Sequence, residues 1–260
     1  MLDEGLLATA GAGAEPVSMA FALHQSPTLP NGMIATKGAS LMASADTFLI
    51  TVRGRGGHAS MPHHASDPIP IACEMVGAFQ SMVTRRVDVF DPAVVTVARI
   101  QAGTTSNVIP ETAELYGTVR TVSEKARDSV LDDIERVAQG LASAHGATAE
   151  ISIVRGYPVT VNDASAARFA LDTAEMLLGA ESAVEMPTPV MGAEDWSYVL
   201  QEVTGAMAFL GTRPKGMAPR DVAPNHSNRM VLDEEAMVPG IATYAGVALR
   251  WLSGAAARPA

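Results

Sequence analysis

The residues of this chain best suited to chemistry are its six histidines: His24, His58, His63, His64, His145 and His226. An imidazole can bind a metal ion or transfer a proton near neutral pH. His58 follows the glycine-rich run R-G-R-G-G-H, which comes directly after an alternating segment, residues 47–54. Glycine lacks the Cβ that keeps another group away from the backbone, so this run favours close approach beside His58. The alternative is a glycine-rich turn with surface histidines, since short motifs often match by chance.

His24 and His226 both lie where an apolar segment gives way to a loop. Residues 18–23 are predicted to form a strand that ends at His24, and a histidine at the carboxyl end of a buried strand can reach a cleft. Two imidazoles can begin a zinc or manganese site, but hydrolytic metal sites need three or four protein ligands per ion. A satisfied core or surface histidine remains the alternative at each position.

Other candidates for chemistry are weaker. Glu194 and Asp195 open a predicted helix, where acidic residues are common, and His145 ends another helix, where an imidazole suits the dipole. Cys73 is predicted to lie on the buried face of a helix, which argues against a reactive thiol. The sequence contains no G-x-S-x-G elbow, and its glycine run lacks the order of a dinucleotide-binding loop.

Composition excludes several classes of function. The net charge of -10 argues against a nucleic-acid partner, which requires clustered Lys and Arg. The 48% hydrophobic and 18% charged residues are typical of a globular protein, and no apolar run is long enough to cross a membrane. A single cysteine cannot form an internal disulfide, and no secretory signal is visible. A cytoplasmic location is therefore expected.

The middle of the chain has the most regular pattern. Its apolar periodicity predicts four strands and two helices in the order β-α-β-β-α-β, typical of a ferredoxin-like sandwich with an antiparallel sheet and both helices on one face. The predicted strands are residues 47–54, 93–103, 112–121 and 147–154, and the helices are residues 67–87 and 123–145, with Asp67 and Ser123 as caps.

Helices and apolar strands alternate in the flanking sequence, which predicts an α/β fold with a parallel-type sheet. The expected architecture is one α/β domain made of residues 1–44 and 157–260, with residues 45–156 inserted as a separate domain. Residues 1–7 look like the tail of a helix. The last helix is predicted to begin at Asp233 and to bury one face: Met237, Ile241, Tyr244, Ala248 and Trp251.

Five motifs in order carry a resemblance to a known family. They are G-R-G-G-H-A-S-M-P-H with Asp67-Pro68, T-T-S-N-V-I-P-E, G-T-V-R-T, G-A-E-D-W-S-Y and P-N-H-S. Together they resemble the aminoacylase, hippurate hydrolase and auxin-conjugate hydrolase group of metal-dependent amidohydrolases. The resemblance implies a metallopeptidase-like α/β catalytic domain with an inserted ferredoxin-like lid, and a homodimer formed through residues 45–156. It also implies two divalent ions, zinc or manganese, and a bridging water that attacks the amide of an N-acyl amino acid or a similar substrate.

The resemblance also assigns residues to roles. His24 and His226 resemble metal ligands, and His58 resembles a lid histidine that reaches across the dimer to polarise the scissile carbonyl. Such a group lowers the barrier because negative charge develops on that oxygen in the transition state.

Four further positions resemble substrate-binding residues. Asn107 and Arg120 match lid residues that hold the substrate carboxylate, for which the guanidinium fork is well suited. Gly192 and Glu194 match a loop near the substrate pocket. These roles are what the resemblance implies, position by position.

One part of the family pattern is absent. No C-G-H-D-x-H segment and no Glu-Glu pair occur in this sequence, so further metal ligands and the general base are not visible. Residues 1–5 resemble the helix that follows the Glu-Glu pair, which predicts that the chain begins just downstream of its own base. The alternative function is therefore a catalytically inactive, truncated homologue that acts as a dimerising or carboxylate-binding module.

Overall fold

The chain forms two compact units in the computed structural model, which describes residues 2–8 and 16–254. The flanking unit comprises Met1–Leu41, Thr160–Val190 and Asp195–Ala260, and the central unit comprises Met42–Val159 and Met191–Glu194. The mixed α/β class expected from the sequence is confirmed. The domain boundaries 1–44, 45–156 and 157–260 remain predictions.

The chain starts with turns and a long strand. Residues 2–8 form turns, so the predicted helix tail is wrong for the described residues, and Met1 lies outside them. Strand β1 (Ala20–Pro30) continues past His24 through Pro27, where the sequence predicted a loop. Proline is tolerated because, in the described part of the chain, β1 lies at the edge of its sheet, where a missing N–H breaks no ladder. Two short strands follow, β2 (Ile34–Thr36) and β3 (Ala39–Met42).

The central unit has the predicted order of elements. It contains β4 (Asp46–Arg53), β5 (Gly57–His58), α1 (Pro68–Arg86), β6 (Ala93–Ala102), β7 (Val108–Ile109), β8 (Thr112–Thr121), α2 (Glu124–Ala144) and β9 (Thr148–Arg155). Its main sheet has the order β6-β8-β4-β9 with antiparallel neighbours throughout, which confirms the ferredoxin-like fold. One core fills the space between this sheet and the two helices, with Phe48 and Phe79 in edge-to-face contact at 5.9 Å.

Both helix caps of the central unit are confirmed, but the predicted burial of Cys73 is wrong. Asp67 accepts a hydrogen bond from the N–H of Ile69, and Ser123 accepts one from Ala126. In α1 the buried residues are Pro68, Ile71, Ala72, Met75, Phe79 and Met82. The helix carries two overlapping apolar stripes, and the stripe without Cys73 packs on the sheet. Cys73 is exposed, so burial no longer argues against its reactivity.

The flanking unit continues with β10 (Thr160–Asn162), α3 (Ala164–Leu178), β11 (Ala183–Glu185), α4 (Trp196–Glu202), β12 (Gly205–Arg213) and α5 (Met237–Leu252). Its sheet has the order β1-β12-β2-β11. Strand β12 is parallel to β1 but antiparallel to β2. The predicted parallel-type sheet is therefore mixed, because a short turn after β1 reverses the direction of the chain before β2.

Helices α3 and α5 pack through Phe169 and Trp251, whose rings meet edge to face at 5.7 Å. The predicted buried face of α5 is correct only at Trp251, because the buried residues are Gly240, Thr243, Val247 and Trp251. Asp233 caps a 3-10 turn ahead of α5 and not the helix itself. No helix among the described residues is long and apolar enough to cross a membrane.

Candidate active site

His24 lies inside β1, opposite Phe209 of β12, with the two rings in edge-to-face contact at 5.9 Å. Its Nδ1 atom lies 2.7 Å from the backbone carbonyl oxygen of Gln25. A carbonyl can only accept, so Nδ1 carries the proton and Nε2 carries the lone pair of the neutral ring. A backbone carbonyl bound to one ring nitrogen is the usual arrangement of a metal-ligating histidine. The geometry thus suits the role predicted for His24.

His226 has a backbone φ of 67°, in the left-handed region that residues other than glycine seldom adopt. Such a conformation is disfavoured and persists only where the surrounding structure holds it, often at binding sites. The loop around His226 is closed by a hydrogen bond from the N–H of Ser227 to the carbonyl of Pro224. The unusual φ is consistent with a functional position at His226.

The structure joins the neighbour of His24 to the neighbour of His226. Gln25 Nε2 donates to Asn225 Oδ1 at 2.5 Å, and Asn225 Nδ2 donates to the Gln25 carbonyl oxygen at 3.3 Å. These two bonds attach the loop that carries His226 to β1. Gln25 and Asn225 belong to no pattern that predicts a site from the sequence, although each is a polar amide next to a candidate ligand.

The two imidazoles fit only part of a metal site. Each offers a nitrogen donor of the kind zinc and manganese accept, and the ring of His24 has the suitable tautomer. Within residues 2–8 and 16–254, however, no group of three or more His, Cys, Asp or Glu side chains could hold a metal ion. The role of His24 and His226 as metal ligands therefore stays a prediction, and the two would need further ligands to complete a site.

In the central unit, His58 is held in the opposite tautomer. Its Nδ1 atom accepts a hydrogen bond from the backbone N–H of Ser60 at 3.2 Å and lies 2.8 Å from Ser60 Oγ. Because a backbone N–H can only donate, the proton of the neutral ring is on Nε2. The side chain is exposed. An exposed imidazole N–H is what polarisation of a substrate carbonyl requires.

The glycines before His58 make room for the chain itself. A Cβ on Gly54 would lie 2.0 Å from the carbonyl oxygen of Ser66, and one on Gly56 would lie 2.9 Å from that of Ile109. These distances are too short for any other residue without a backbone shift. The close approach predicted from the glycine run is therefore made by neighbouring backbone, which forms the support for His58.

Asn107 lies beside His58. The N–H of Ala59 donates to the Asn107 carbonyl oxygen at 3.0 Å, next to the short pairing of β5 with β7. Asn107 Oδ1 accepts from Thr105 Oγ1 at 3.1 Å, so the amide NH2 is its donating end. A donor at this position suits a substrate carboxylate. We call this group, His58 with Asn107, the His58 end of the central unit.

Arg120 lies at the other end of the central sheet. Asn107 precedes the start of β8 at Thr112, and Arg120 comes eight residues after Thr112 in that strand. At the rise of an extended chain, Thr112 and Arg120 are about 27 Å apart. The structure therefore does not bring Arg120 together with Asn107 within one chain. Among the described residues, no hydrogen bond or ion pair engages the Arg120 guanidinium.

Gly192 is bonded to the segment that also bonds to Thr121, the residue after Arg120. The Gly192 carbonyl oxygen accepts from the N–H of Ala43 at 2.9 Å, and the next residue, Ser44, donates its N–H to the carbonyl of Thr121 at 2.8 Å. Glu194 is partly buried and precedes α4, which begins two residues later than predicted. We call Arg120, Gly192 and Glu194 the Arg120 end of the central unit.

The chain is similar in sequence and in structure to known proteins. Residues 43–145 match the family model described as a peptidase dimerisation domain, M20_dimer. The chain is 35% identical over 238 residues to thermostable carboxypeptidase 2 of Saccharolobus solfataricus, covering 90% of this chain and 58% of that protein. It is 36% identical over 233 residues to N-acetylcysteine deacetylase of Bacillus subtilis, covering 90% of this chain and 59% of that protein.

A solved structure from Bacillus subtilis, described as a dinuclear metal-binding peptidase of the M20 family, is also similar. It superimposes with a TM-score of 0.73 at 30% identity, covering 97% of this chain and 60% of that one. The chain thus spans 58–60% of the length of these three proteins. The resemblance expected from the five motifs is confirmed.

Proposed function

We propose that this chain is part of a metal-dependent amidohydrolase, because 90% of it is similar in sequence to a carboxypeptidase and to a deacetylase and residues 43–145 match a peptidase dimerisation domain. The substrates would be N-acyl amino acids or similar amides. The observation that carries this proposal is the pair of opposed tautomers. The backbone sets His24 with a lone pair on Nε2, as a ligand requires, and His58 with a proton on Nε2, as a donor requires.

In this proposal each residue has one task. His24 and His226 would hold a divalent ion, zinc or manganese, which when bound supplies Lewis acidity for amide hydrolysis. His58 Nε2–H would donate to the carbonyl oxygen as negative charge develops there. The carboxylate of the substrate would be held by the amide of Asn107 and the guanidinium of Arg120. Gly192 and Glu194 would line the same pocket.

The geometry of the central unit supports a homodimer. Thr112 and Arg120 are about 27 Å apart along β8 and Asn107 precedes Thr112, so one chain is not expected to place Asn107 and Arg120 on a single small substrate. Two copies can do so if one contributes its His58 end and the other contributes its Arg120 end. The match of residues 43–145 to a dimerisation domain favours this arrangement. A cytoplasmic location, suited to the single cysteine, is part of the proposal.

A second candidate is a dimerising, carboxylate-binding module without turnover. It is favoured by one observation: the described residues include no group of three or more side chains that could hold a metal ion. In such a module the Asn107 amide and the Arg120 guanidinium keep their carboxylate-binding task, and His58 has no reaction to assist.

A turnover assay with N-acetyl and N-benzoyl amino acids, in added zinc or manganese, tests the proposal. We expect hydrolysis that a chelator abolishes. His58→Ala and Arg120→Ala should each lower the rate by about 100-fold or more. An equal mixture of the two variants should recover about a quarter of the wild-type rate, since half of the dimers are mixed and one of their two sites is intact. Carboxylate binding without hydrolysis would favour the module instead.

A further inference from the structure

Gln25 is bonded to four other residues around the His24–His226 pair. Its side-chain Oε1 accepts from Thr212 Oγ1 at 2.9 Å, and its Nε2 donates to Asn225 Oδ1 at 2.5 Å and contacts Met230 Sδ at 3.6 Å. Its backbone carbonyl oxygen accepts from His24 Nδ1 at 2.7 Å. The same oxygen accepts from Asn225 Nδ2 at 3.3 Å. One residue therefore contacts the ring of His24, the end of β12 and the loop of His226.

The chemistry of this position requires an amide. The side chain accepts from a hydroxyl at one atom and donates to an amide oxygen at the other. A carboxylate could make only the first bond, and a hydrocarbon of the same length could make neither. Thr212 is 5% exposed and Gln25 is partly buried, so water cannot easily replace a lost bond.

The loop that carries His226 depends on external support. Its φ of 67° is disfavoured for histidine, and the bonds from Ser227 to Pro224 and from Met230 to Ser227 lie within the loop itself. The contacts from Gln25 attach the loop to β1. Beyond the loop, the N–H of Asp233 donates to the carbonyl of Thr212, which ties the following segment to β12.

We propose that Gln25 is a positioning residue that fixes the spacing and orientation of His24 and His226. It fixes the tautomer of His24 through its carbonyl oxygen, and it holds the His226 loop against β1 through its side-chain amide. The inference rests on the proposed function only in taking the two imidazoles as metal ligands. The attachment of the loop can be measured without any metal.

Three variants of the full chain test this role. Gln25→Leu removes both side-chain bonds at nearly constant volume. Gln25→Glu keeps the acceptor for Thr212 and removes the donor to Asn225. Thr28→Val is the matched control, because Thr28 is exposed on the same strand and its hydroxyl bonds only to Ser26 among the described residues. Circular dichroism establishes that each variant is folded, and Gln25→Glu decides the question should Gln25→Leu not fold.

The first readout is amide hydrogen exchange without metal. We expect exchange at residues 225–230 to accelerate by about tenfold or more in Gln25→Leu and to a smaller extent in Gln25→Glu, as expected when a locally held loop opens. The exchange rates of the β12 amides should be unchanged in both Gln25 variants. In the Thr28→Val control, exchange at residues 225–230 should be unchanged. Unchanged exchange at residues 225–230 in both Gln25 variants would overturn the proposal. Acceleration spread evenly over β1 and β12 would also overturn it, because it would indicate a general structural role.

The second readout is zinc affinity, measured by competition with a chromophoric chelator. Loss of a residue that orients ligands should weaken zinc binding by about 10–100-fold in Gln25→Leu. The reference variants His24→Ala and His226→Ala test the metal site separately from the positioning role of Gln25. If they leave zinc affinity unchanged, the metal site of the proposed function fails, and hydrogen exchange still decides the role of Gln25. If they abolish zinc binding while Gln25→Leu leaves it unchanged, the positioning role fails and the metal site stands.

Discussion

The central and flanking units differ in how they bury apolar side chains. The central unit has one continuous core in which large residues, among them Phe48, Phe79, Leu115 and Ile134, are at most 1% exposed. The flanking unit has small clusters built largely of alanine, and large apolar residues of α5 such as Ile241 and Leu249 are more than 60% exposed. Since stability follows buried apolar area, the central unit holds its own fold more firmly than the flanking unit.

Hydrogen exchange should show the largest difference between the units. We expect residues 45–156 to fold as an independent unit, with amides of β4 and β8 protected by about 5 kcal/mol more than those of β1 and β12. Strand β1 lies at the edge of the described sheet and depends on packing from neighbours. A second measurement is denaturant unfolding of residues 45–156 expressed alone, for which we expect a cooperative transition. Equal protection in both units would contradict the comparison.

The single core of the central unit predicts a large effect of truncating Phe48. This ring is 1% exposed and packs edge to face on Phe79. Phe48→Ala should lower the free energy of unfolding by about 4 kcal/mol in a denaturant titration. The control is Phe90→Ala, because Phe90 is 93% exposed and its loss should change stability by less than about 0.5 kcal/mol. Similar losses from both variants would show that burial in this core is not the source of stability.

A buried ion pair ties the two ends of the central segment together. Arg127 donates to both carboxylate oxygens of Asp46 at 3.0 and 2.7 Å and to the carbonyl of Gly156. Asp46→Ala leaves the guanidinium buried without this partner and should lower the free energy of unfolding by about 3 kcal/mol. Asp128, which pairs with Arg155 at an exposed position, is the matched control and should show little change on substitution by alanine. Equal effects would argue against a special role for the buried pair.

The smallest predicted effects concern one helix cap in each unit. Ser123→Ala in α2 and Asp163→Ala in α3 should each cost about 1 kcal/mol, because each side chain accepts the N–H of the third residue beyond it. The contribution of Asp163 should also depend on pH. Hydrogen bonds from Ser165 and Ala166 lower the pKa of its carboxyl group below 3.8.

A lowered folded pKa fixes the sign of this dependence. The stabilisation by Asp163 is fully present above its ordinary pKa of 3.8 and is lost as the pH falls through the lower folded value. Thermal melts of wild type and Asp163→Ala should therefore converge in acid. A constant difference between wild type and Asp163→Ala down to strongly acidic pH would contradict the assignment.

Much of the fold could be predicted because local signals agreed with packing. Strand β8 and the caps Ser123 and Asp67 occur where the pattern placed them. The predictions were wrong where two apolar patterns overlapped in one helix, or where the pairing of a strand determined its length. Helix α1 had two apolar stripes, and only packing on the sheet selects one. Strand β1 passes through Pro27 because its outer edge is unpaired in the described chain, which sequence alone does not reveal.

The candidate site was predictable as a set of residue types but not as an arrangement. The motifs pointed to His24, His58 and His226. The tautomers of His24 and His58, however, depend on the Gln25 carbonyl and the Ser60 N–H, whose positions only the structure shows. Gln25 escaped notice because its importance depends on the distant Thr212 and Asn225. The separation of Asn107 from Arg120 follows from the length of β8, because Asn107 precedes the strand and Arg120 lies near its far end.

The length of β8 also has a consequence for kinetics. In the proposed homodimer, the substrate site is formed by the His58 end of one copy and the Arg120 end of another. Such a site would exist only while the two copies are associated. Below the dissociation constant of the pair, the rate per molecule would fall in proportion to protein concentration, so the reaction would become second order in protein. Dilution alone would then abolish the activity, without an inhibitor and without a change in the fold of either copy.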